Sequence, residues 1–325
     1  MINLTEQVLA ITQASAITAT EVVQSLWSGY GQIKRCHLKG GKYPSVIVKH
    51  IQGPNKSHHP RGWNTTISDE RKRKSYQVEQ HWYETLAKQT NKHCRVPNIL
   101  KSVELDSEIL LIMEDLDASG YRIRLQHGGV SLNQVKACLS WLAQFHAQFM
   151  QTEGEGLWPI GTYWHLDTRP DEWNRMTNNK LKKAAKAIDG QLNSARFQTL
   201  VHGDAKLANF CFKSSGEVAA VDFQYVGRGC GIKDVAYFIS SCLDDEECGK
   251  HEEELLKHYF KTLQQALNND AVFQEVKKEW AELYAYAWAD FYRFLDGWGP
   301  GHWKMHGYSE QLTQRVLDEL KERKK

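Results

Sequence analysis

The chain has 325 residues, 41% of them hydrophobic, enough to bury a sizeable core in one large domain or two lobes. Its 41 basic and 39 acidic side chains leave a formal charge of +2, which excludes the one-signed field expected of a nucleic-acid or anionic-membrane binder. Seven cysteines, at 36, 94, 138, 211, 230, 242 and 248, form no CxxC pair and no Cys/His metal spacing, and the odd number argues against a disulfide framework, so a reducing compartment is expected.

No basic start followed by an apolar block opens the sequence, and no apolar run reaches the ~18 residues of a membrane helix. A soluble, cytoplasmic protein without a membrane partner is expected. Residues 1–20 mix apolar and Thr/Ser/Gln positions at helical spacing and predict a short N-terminal helix. From Glu21 onward, "EVVQSLW", "QIKRCHLK" and "SVIVKHI" read as three strands punctuated by "SGYG" and "GGKYP", an antiparallel meander. "QGPNKSHHPRGWNTTISD" is a long polar loop. In "ERKRKSYQVEQHWYETLAKQ", Tyr76, Val78, Trp82, Tyr83 and Leu86 fall near helical spacing, with Ser68 or Asp69 available as a cap. The basic run Arg71–Lys74 reads as the solvated start of that helix. "EILLIMEDL" (108–116) is a buried strand, and after it the chain turns helical, most clearly over 131–150 and over an aromatic-rich stretch at about 274–296. The fold class is α+β, with a boundary near residue 115 between a sheet-rich lobe (1–115) and a mainly helical one (116–325).

"HGDAKLANF" (202–210) is a polar run set among apolar neighbours. Beyond it, "NFCFK" and "VAAVDF" joined by "SSGE" read as a hairpin. Counting outward from a four-residue link pairs Lys213 with Val218 and Phe212 with Ala219, which sets Asn209 opposite Asp222. Opposed side chains share one face with Cβ atoms ~5 Å apart. An amide oxygen and a carboxylate then converge, a donor pair suited to one Mg²⁺; a slip of one residue would break the pairing. Asp204, on the loop entering the hairpin, is placed to take a proton from an attacking hydroxyl. Lys206 is placed to neutralise charge on a phosphoryl group in flight. Taken singly, each of these residues also reads as a loop polar group satisfying the backbone.

His202, Asp204 and Asn209 together form the H-x-D-x-x-x-x-N pattern of a kinase catalytic loop, and Asp222 in "VDFQ" stands where D-F-G carries its metal-binding aspartate. "HGD" in place of HRD, "DFQ" in place of DFG and the missing A-P-E segment are unlike a protein kinase. The chain resembles the aminoglycoside phosphotransferase and choline kinase branch of the superfamily, most closely the ecdysteroid-kinase-like group, whose members phosphorylate hydroxyls of small molecules. The resemblance implies a bilobal protein-kinase-like fold, ATP and Mg²⁺ as cofactors, and a small-molecule hydroxyl as acceptor. It implies that Lys49, closing the third strand, holds the α/β-phosphates and that Glu79, followed by "HWY", holds the lysine. It gives Gly29 and Gly31 to a nucleotide-covering loop whose N–H groups approach phosphate. Met113, Glu114, Asp115 and Leu116 become the hinge whose backbone bonds adenine, and Asp234 braces the catalytic loop by accepting its N–H bonds. His146 reads as a satisfied core histidine. Apart from the resemblance, Lys49 is an ordinary strand-end lysine, Glu79 a solvent-facing helix residue and Asp234 a helix N-terminal carboxylate.

On the acceptor side, the aromatics between Trp280 and Trp303 read either as a helix core face or as a wall holding a quaternary ammonium by cation–π attraction, or a steroid-like alcohol. "DDEE" at 244–247 is a candidate acidic contribution, and "GWGPGHWKMHGY" a loop that tunes specificity. A catalytically inactive nucleotide-binding module and a protein kinase are the rival readings.

Overall fold

The computed structural model describes residues 2–53 and 66–323. The polar loop predicted before the long helix falls largely on 54–65, outside the described residues. In chain order the elements are α1 (Leu4–Thr12), β1 (Ala16–Ser25), β2 (Gly31–Lys39), β3 (Ser45–Gln52), α2 (Thr66–Glu84), β4 (Ile99–Leu105), β5 (Glu108–Glu114) and the short β6 (Ile123–Arg124). Then follow α3 (Leu132–Gln148), α4 (Pro170–Arg175), α5 (Asn179–Asn193), β7 (Thr199–Val201), β8 (Phe210–Phe212), β9 (Val218–Ala220) and β10 (Gly227–Gly229). The chain ends in α6 (Ile232–Cys242), α7 (Asp245–Leu267), α8 (Asp270–Trp298) and α9 (Gly307–Glu322). The class is α+β, as expected. Two compact units form: Met1–Gln89 with Val96–Ile123 and Cys211–Gln224, and Thr90–Arg95 with Arg124–Phe210 and Tyr225–Lys325. The division is therefore not a single cut, and the segment bearing Asp222 belongs with the sheet.

In the first unit five antiparallel strands lie in the order β1-β2-β3-β5-β4. The helix predicted over 1–20 stops at Thr12, where Gln13 turns left-handed at φ 57°. Residues 16–20 extend β1 instead, because Ile17, Thr18 and Thr20 are β-branched and pack on a pleated surface. β4 has no counterpart among the predicted strands: Lys101, Ser102 and Glu104 interrupt the apolar alternation of a half-exposed edge strand. Period two does the sorting inside the sheet. Val46 and Val48 of β3, with Leu110 and Ile112 of β5 and Cys36 of β2, bury against Val8 of α1, the Val, Leu and Ile side chains contributing about 1.5–3 kcal/mol each. Lys49 is one position out of phase, so it points to the opposite face, where α2 packs.

Asp115, just after β5, is buried and accepts from Arg35 Nε (2.7 Å), Ser45 Oγ (2.6 Å) and the Asp117 N–H (3.0 Å). Burial alone would raise its carboxyl, but Arg35 and Ser45 outweigh that and hold it below the usual range. Because the folded pKa is the lower one, the unfolded chain takes up this proton first. The stability it contributes is complete above the unfolded value of about 4 and is lost as pH falls through the folded value. In urea titrations from about pH 6 down to about pH 3, the wild type should lose more stability than Asp115→Asn, and parallel losses would refute the assignment.

The β8–β9 hairpin corrects the sequence register. Gly216 donates to the Lys213 carbonyl (3.0 Å), Lys213 donates to the Glu217 carbonyl (2.9 Å), and Gly216 is left-handed at φ 91°. This is a three-residue link of Ser214, Ser215 and Gly216 closed by a glycine bulge. Lys213 thus opposes Glu217, not Val218, and the count that set Asn209 opposite Asp222 is one residue out. Both residues lie beyond the strands: Asn209 closes a 3₁₀ turn (Leu207–Asn209), and Asp222 follows β9 with φ 69°.

The second unit is mainly helical. Ser131 and Gln134 form a capping box at α3. The acidic run at 244–247 is also a capping device: Asp244 and Glu247 cap α7, and Asp245 accepts the Gly307 and Tyr308 N–H groups that open α9. α8 spans 29 residues, longer than predicted at both ends. Trp280, Tyr284, Tyr286 and Trp288 are core, while Phe291, Phe294 and Leu295 form a cluster with Trp164 and Tyr237. Among the described residues no helix is long and apolar enough to cross a membrane.

Candidate active site

In the first unit the sheet and α2 bring together residues far apart in sequence. Lys49 Nζ lies 2.6 Å from Glu79 Oε2, with 2% of Lys49 and 1% of Glu79 exposed. Glu79 is therefore not a solvent-facing helix residue. Asp222 Oδ1 is 3.5 Å from the same ammonium. Burial would lower the Lys49 pKa, but Glu79 and Asp222 more than reverse this and keep the lysine charged. Gln224 holds the same oxygen of Asp222, its Nε2 donating to Oδ1 (2.6 Å). Gln224 Oε1 in turn accepts from Lys72 Nζ (2.9 Å) and Ser75 Oγ (3.3 Å), both on α2. Phe223 between them stacks on Trp82 at 4.8 Å and meets the edge of Tyr83 at 6.0 Å, pairs worth about 0.5–1.5 kcal/mol each beyond area burial. The "DFQ" segment is thus fixed to the helix that carries Glu79. The solvated reading of 71–74 holds for Arg73 and Lys74 but not for Lys72, which also lies 4.7 Å over the Tyr76 ring.

The Trp27–Gly29 turn is closed by its own backbone: Gly29 donates to Leu26 and Leu26 to Gly31. Gly31, at φ 123°, is required by packing, since a Cβ there would collide with the His50 carbonyl. Gly29, at φ 77°, faces open space. In the hinge segment, Met113 and Glu114 are paired within the sheet to Ile47 and Val46. The carbonyls of Asp115 and Leu116 accept from Ser119, and that of Leu116 also from Tyr121. The N–H groups of Asp115 and Leu116 donate to nothing among the described residues.

In the second unit, one face of α6 holds the whole 202–209 loop. Asp234 Oδ2 and Oδ1 accept the N–H groups of His202 (2.6 Å) and Gly203 (3.1 Å), the bracing role expected of it. Three residues on, Tyr237 OH donates to Asp204 Oδ1 (2.9 Å), and four further on, Ser241 Oγ accepts the Leu207 N–H (2.9 Å). Positions 234, 237 and 241 follow the helical period. His146 is fully buried between Tyr259 OH (2.8 Å) and Asp234 Oδ2 (3.2 Å), a satisfied core histidine as expected. Gly203 explains the departure from HRD: it sits at φ 78°, and a Cβ would collide with the Tyr225 carbonyl. Asp234→Asn replaces one accepting oxygen with a donor facing a buried N–H. It should cost about 1–3 kcal/mol in urea unfolding, and an unchanged midpoint would show that the brace does not matter.

Asp204 is 7% exposed. Its Oδ2 accepts from Lys206 Nζ (3.0 Å) and from Asn209 Nδ2 (3.2 Å), which also donates to the Asp204 carbonyl (2.8 Å). With its nitrogen engaged, Asn209 has Oδ1 left over, and that oxygen takes no hydrogen bond among the described residues. Burial, followed by the charge of Asp204, keeps the Tyr237 phenol well above its ordinary pKa, so it stays a donor. Lys304 is the residue that sequence reading passed over: its ammonium lies 4.6 Å over the Tyr237 ring. A lysine among aromatics in "GHWKMHGY" was the available signal. The 234/237/241 spacing was the signal for Tyr237 and Ser241.

A charged lysine–glutamate pair beside one aspartate, and a second aspartate braced in an H-x-D-x-x-x-x-N loop, place the chain among kinase-like small-molecule phosphotransferases. It belongs to the ecdysteroid kinase-like family, whose model matches residues 38–155 and 162–272. Similar solved structures include the microcompartment-associated aminopropanol kinase (14% identity, 96% of this chain and 92% of that one, TM-score 0.48). A choline kinase from Streptococcus pneumoniae is 13% identical over 98% of this chain and 97% of that one, with TM-score 0.49. A macrolide 2′-phosphotransferase from Brachybacterium faecium is 12% identical over 94% and 95%, with TM-score 0.49. No curated protein matches the sequence.

Proposed function

We propose that this protein transfers the γ-phosphoryl group of ATP to a hydroxyl of a small molecule, in a Mg²⁺-dependent reaction. The first unit serves the nucleotide, and the second supplies the base and the acceptor contacts. The observation that carries the reading is the Asp204 carboxylate, which is held by Tyr237, Lys206 and Asn209 in a loop braced by Asp234.

Asp204 orients the acceptor hydroxyl and takes its proton as the acceptor oxygen bonds to phosphorus and ADP departs. Tyr237 keeps one carboxylate oxygen aimed, and Lys206 exchanges its ion pair with Asp204 for the charge developing on the phosphoryl oxygens. Lys49, fixed by Glu79, positions the phosphates, while Gly29 and Gly31 let the turn at 27–31 cover them. The hinge from Met113 through Glu114 and Asp115 to Leu116 offers adenine the N–H groups of Asp115 and Leu116. The hard oxygens of Asn209 and Asp222 fit Mg²⁺, which takes only one or two protein ligands. Those two residues would hold the ion, and when bound it supplies neutralisation of phosphate charge. The near-zero net charge supports a small-molecule partner rather than nucleic acid.

The test is a ³¹P and mass-spectrometric screen of Mg·ATP with pooled alcohols: choline, ethanolamine, sugars, aminoglycosides, sterols and hydroxylated carboxylates. Phosphorylation of at least one pool that disappears on omitting Mg²⁺ is expected. Bound ATP with no product in any pool would refute the reading.

A further inference from the structure

The aromatic faces that could hold a cationic acceptor beside Asp204 already hold the protein's own cations. Lys304 Nζ lies 4.6 Å from the Tyr237 ring centroid, 5.4 Å from that of Phe291 and 5.5 Å from that of Trp303. The Arg169 guanidinium lies 5.7 Å from the Tyr163 ring and 5.4 Å from that of Phe294. The two cations differ in how they are matched. Arg169 is paired with Glu172 at 3.1 Å and also donates to the Tyr163 carbonyl. Lys304 is only 8% exposed, yet among the described residues its ammonium makes no hydrogen bond and no ion pair.

Nor does Lys304 hang from a loose loop. Its N–H donates to His302 Nδ1 (3.3 Å), and its carbonyl accepts from the buried Ser309 Oγ (3.1 Å) at the start of α9. Burial lowers its pKa to about 8, and Asp204 restores only part of the loss. The ammonium is therefore largely buried with no carboxylate of the described residues within hydrogen-bond or ion-pair reach, on the very ring whose hydroxyl orients Asp204. Beyond it, Trp303 is 45% exposed and meets the His127 ring at 4.2 Å, and Trp298 and His302 extend the aromatic edge.

We propose that Lys304 is an acceptor-binding residue that selects alcohols carrying a carboxylate on a flat apolar body, and that it disfavours choline-like and other cationic acceptors. The missing partner of the ammonium is supplied by the substrate. The apolar body lies along Trp303, and the hydroxyl reaches Asp204. The proposal rests on the reading of Asp204 as the place where the acceptor hydroxyl binds.

Three probes that share one ring and one CH₂OH group isolate the charge: 4-(hydroxymethyl)benzoate, 4-methylbenzyl alcohol and 4-(aminomethyl)benzyl alcohol. Binding to the full chain is measured by calorimetry without nucleotide, so that it does not depend on turnover. The wild type and Lys304→Arg should bind the benzoate at least about tenfold more tightly than the amine. Lys304→Met should bring the ratio to within about twofold, and Lys304→Glu should invert it. Circular dichroism confirms that each variant is folded. The proposal is overturned if the wild type prefers the amine, if Lys304→Met keeps the wild-type ratio, or if no probe binds the wild type at millimolar concentration. A ratio that follows the charge at position 304, with no phosphate transfer from ATP to any alcohol, would refute the kinase reading and leave the role of Lys304 standing.

Discussion

Asp204→Asn should lower kcat for phosphate transfer by ~10²–10⁴, about 3–5 kcal/mol of barrier, while leaving the nucleotide Kd within about twofold. The amide keeps the shape of the carboxylate and one accepting oxygen. It can still take the bond from Tyr237 or those from Lys206 and Asn209, but it cannot accept the proton of an attacking hydroxyl. Because only the transition state needs that proton transfer, the loss belongs in kcat more than in KM. Steady-state kinetics on whichever acceptor the screen returns, with a parallel melting curve, separates chemistry from folding. Wild-type turnover in this variant would remove Asp204 from the base position.

Lys49→Met should destabilise the protein by about 3–5 kcal/mol as well as abolish turnover, because it leaves the Glu79 carboxylate buried without its cation. Burial already pushes Glu79 above its ordinary pKa, and Lys49 is the largest influence pulling it back. With the lysine gone, the carboxyl must take up a proton or draw in water. The double variant Lys49→Met/Glu79→Leu should recover most of the stability and none of the activity, since two apolar side chains can fill the space of a buried pair. Urea unfolding of the two variants makes the comparison. If Lys49→Met alone is as stable as the wild type, the pair is not sequestered as described.

Spacing within short segments was legible from the residues alone. The meander around Lys49, the buried strand read over 108–116 and the helices read over 131–150 and about 274–296 each follow from period two or period 3.6. The letters mislead where the periodic signal is thin or where one residue changes the count. β4 escaped because polar residues break its alternation at an edge. The hairpin register slipped because Gly216 bulges out, which the letters "SSGE" do not distinguish from a four-residue link. The strand-like "AITAT" reads as a continuation of the preceding helix because nothing in its composition marks the left-handed turn at Gln13.

The sequence by itself determined the chemical vocabulary: an aspartate, a lysine and an asparagine at loop spacing, a second aspartate after a strand, and a lysine out of phase on a buried strand. These are local matters of residue type and period, and the chain cannot avoid them once translated. Only the tertiary structure decided which groups share an environment. Glu79 becomes a buried partner because α2 turns that face to the sheet, and Gln224 and Lys72 become part of the Asp222 network because Phe223 packs against Trp82. Lys304 acquires its place because the start of α9 anchors the backbone that carries it over Tyr237. Contacts of this kind depend on burial and on neighbours distant in sequence, and no window of residues encodes them.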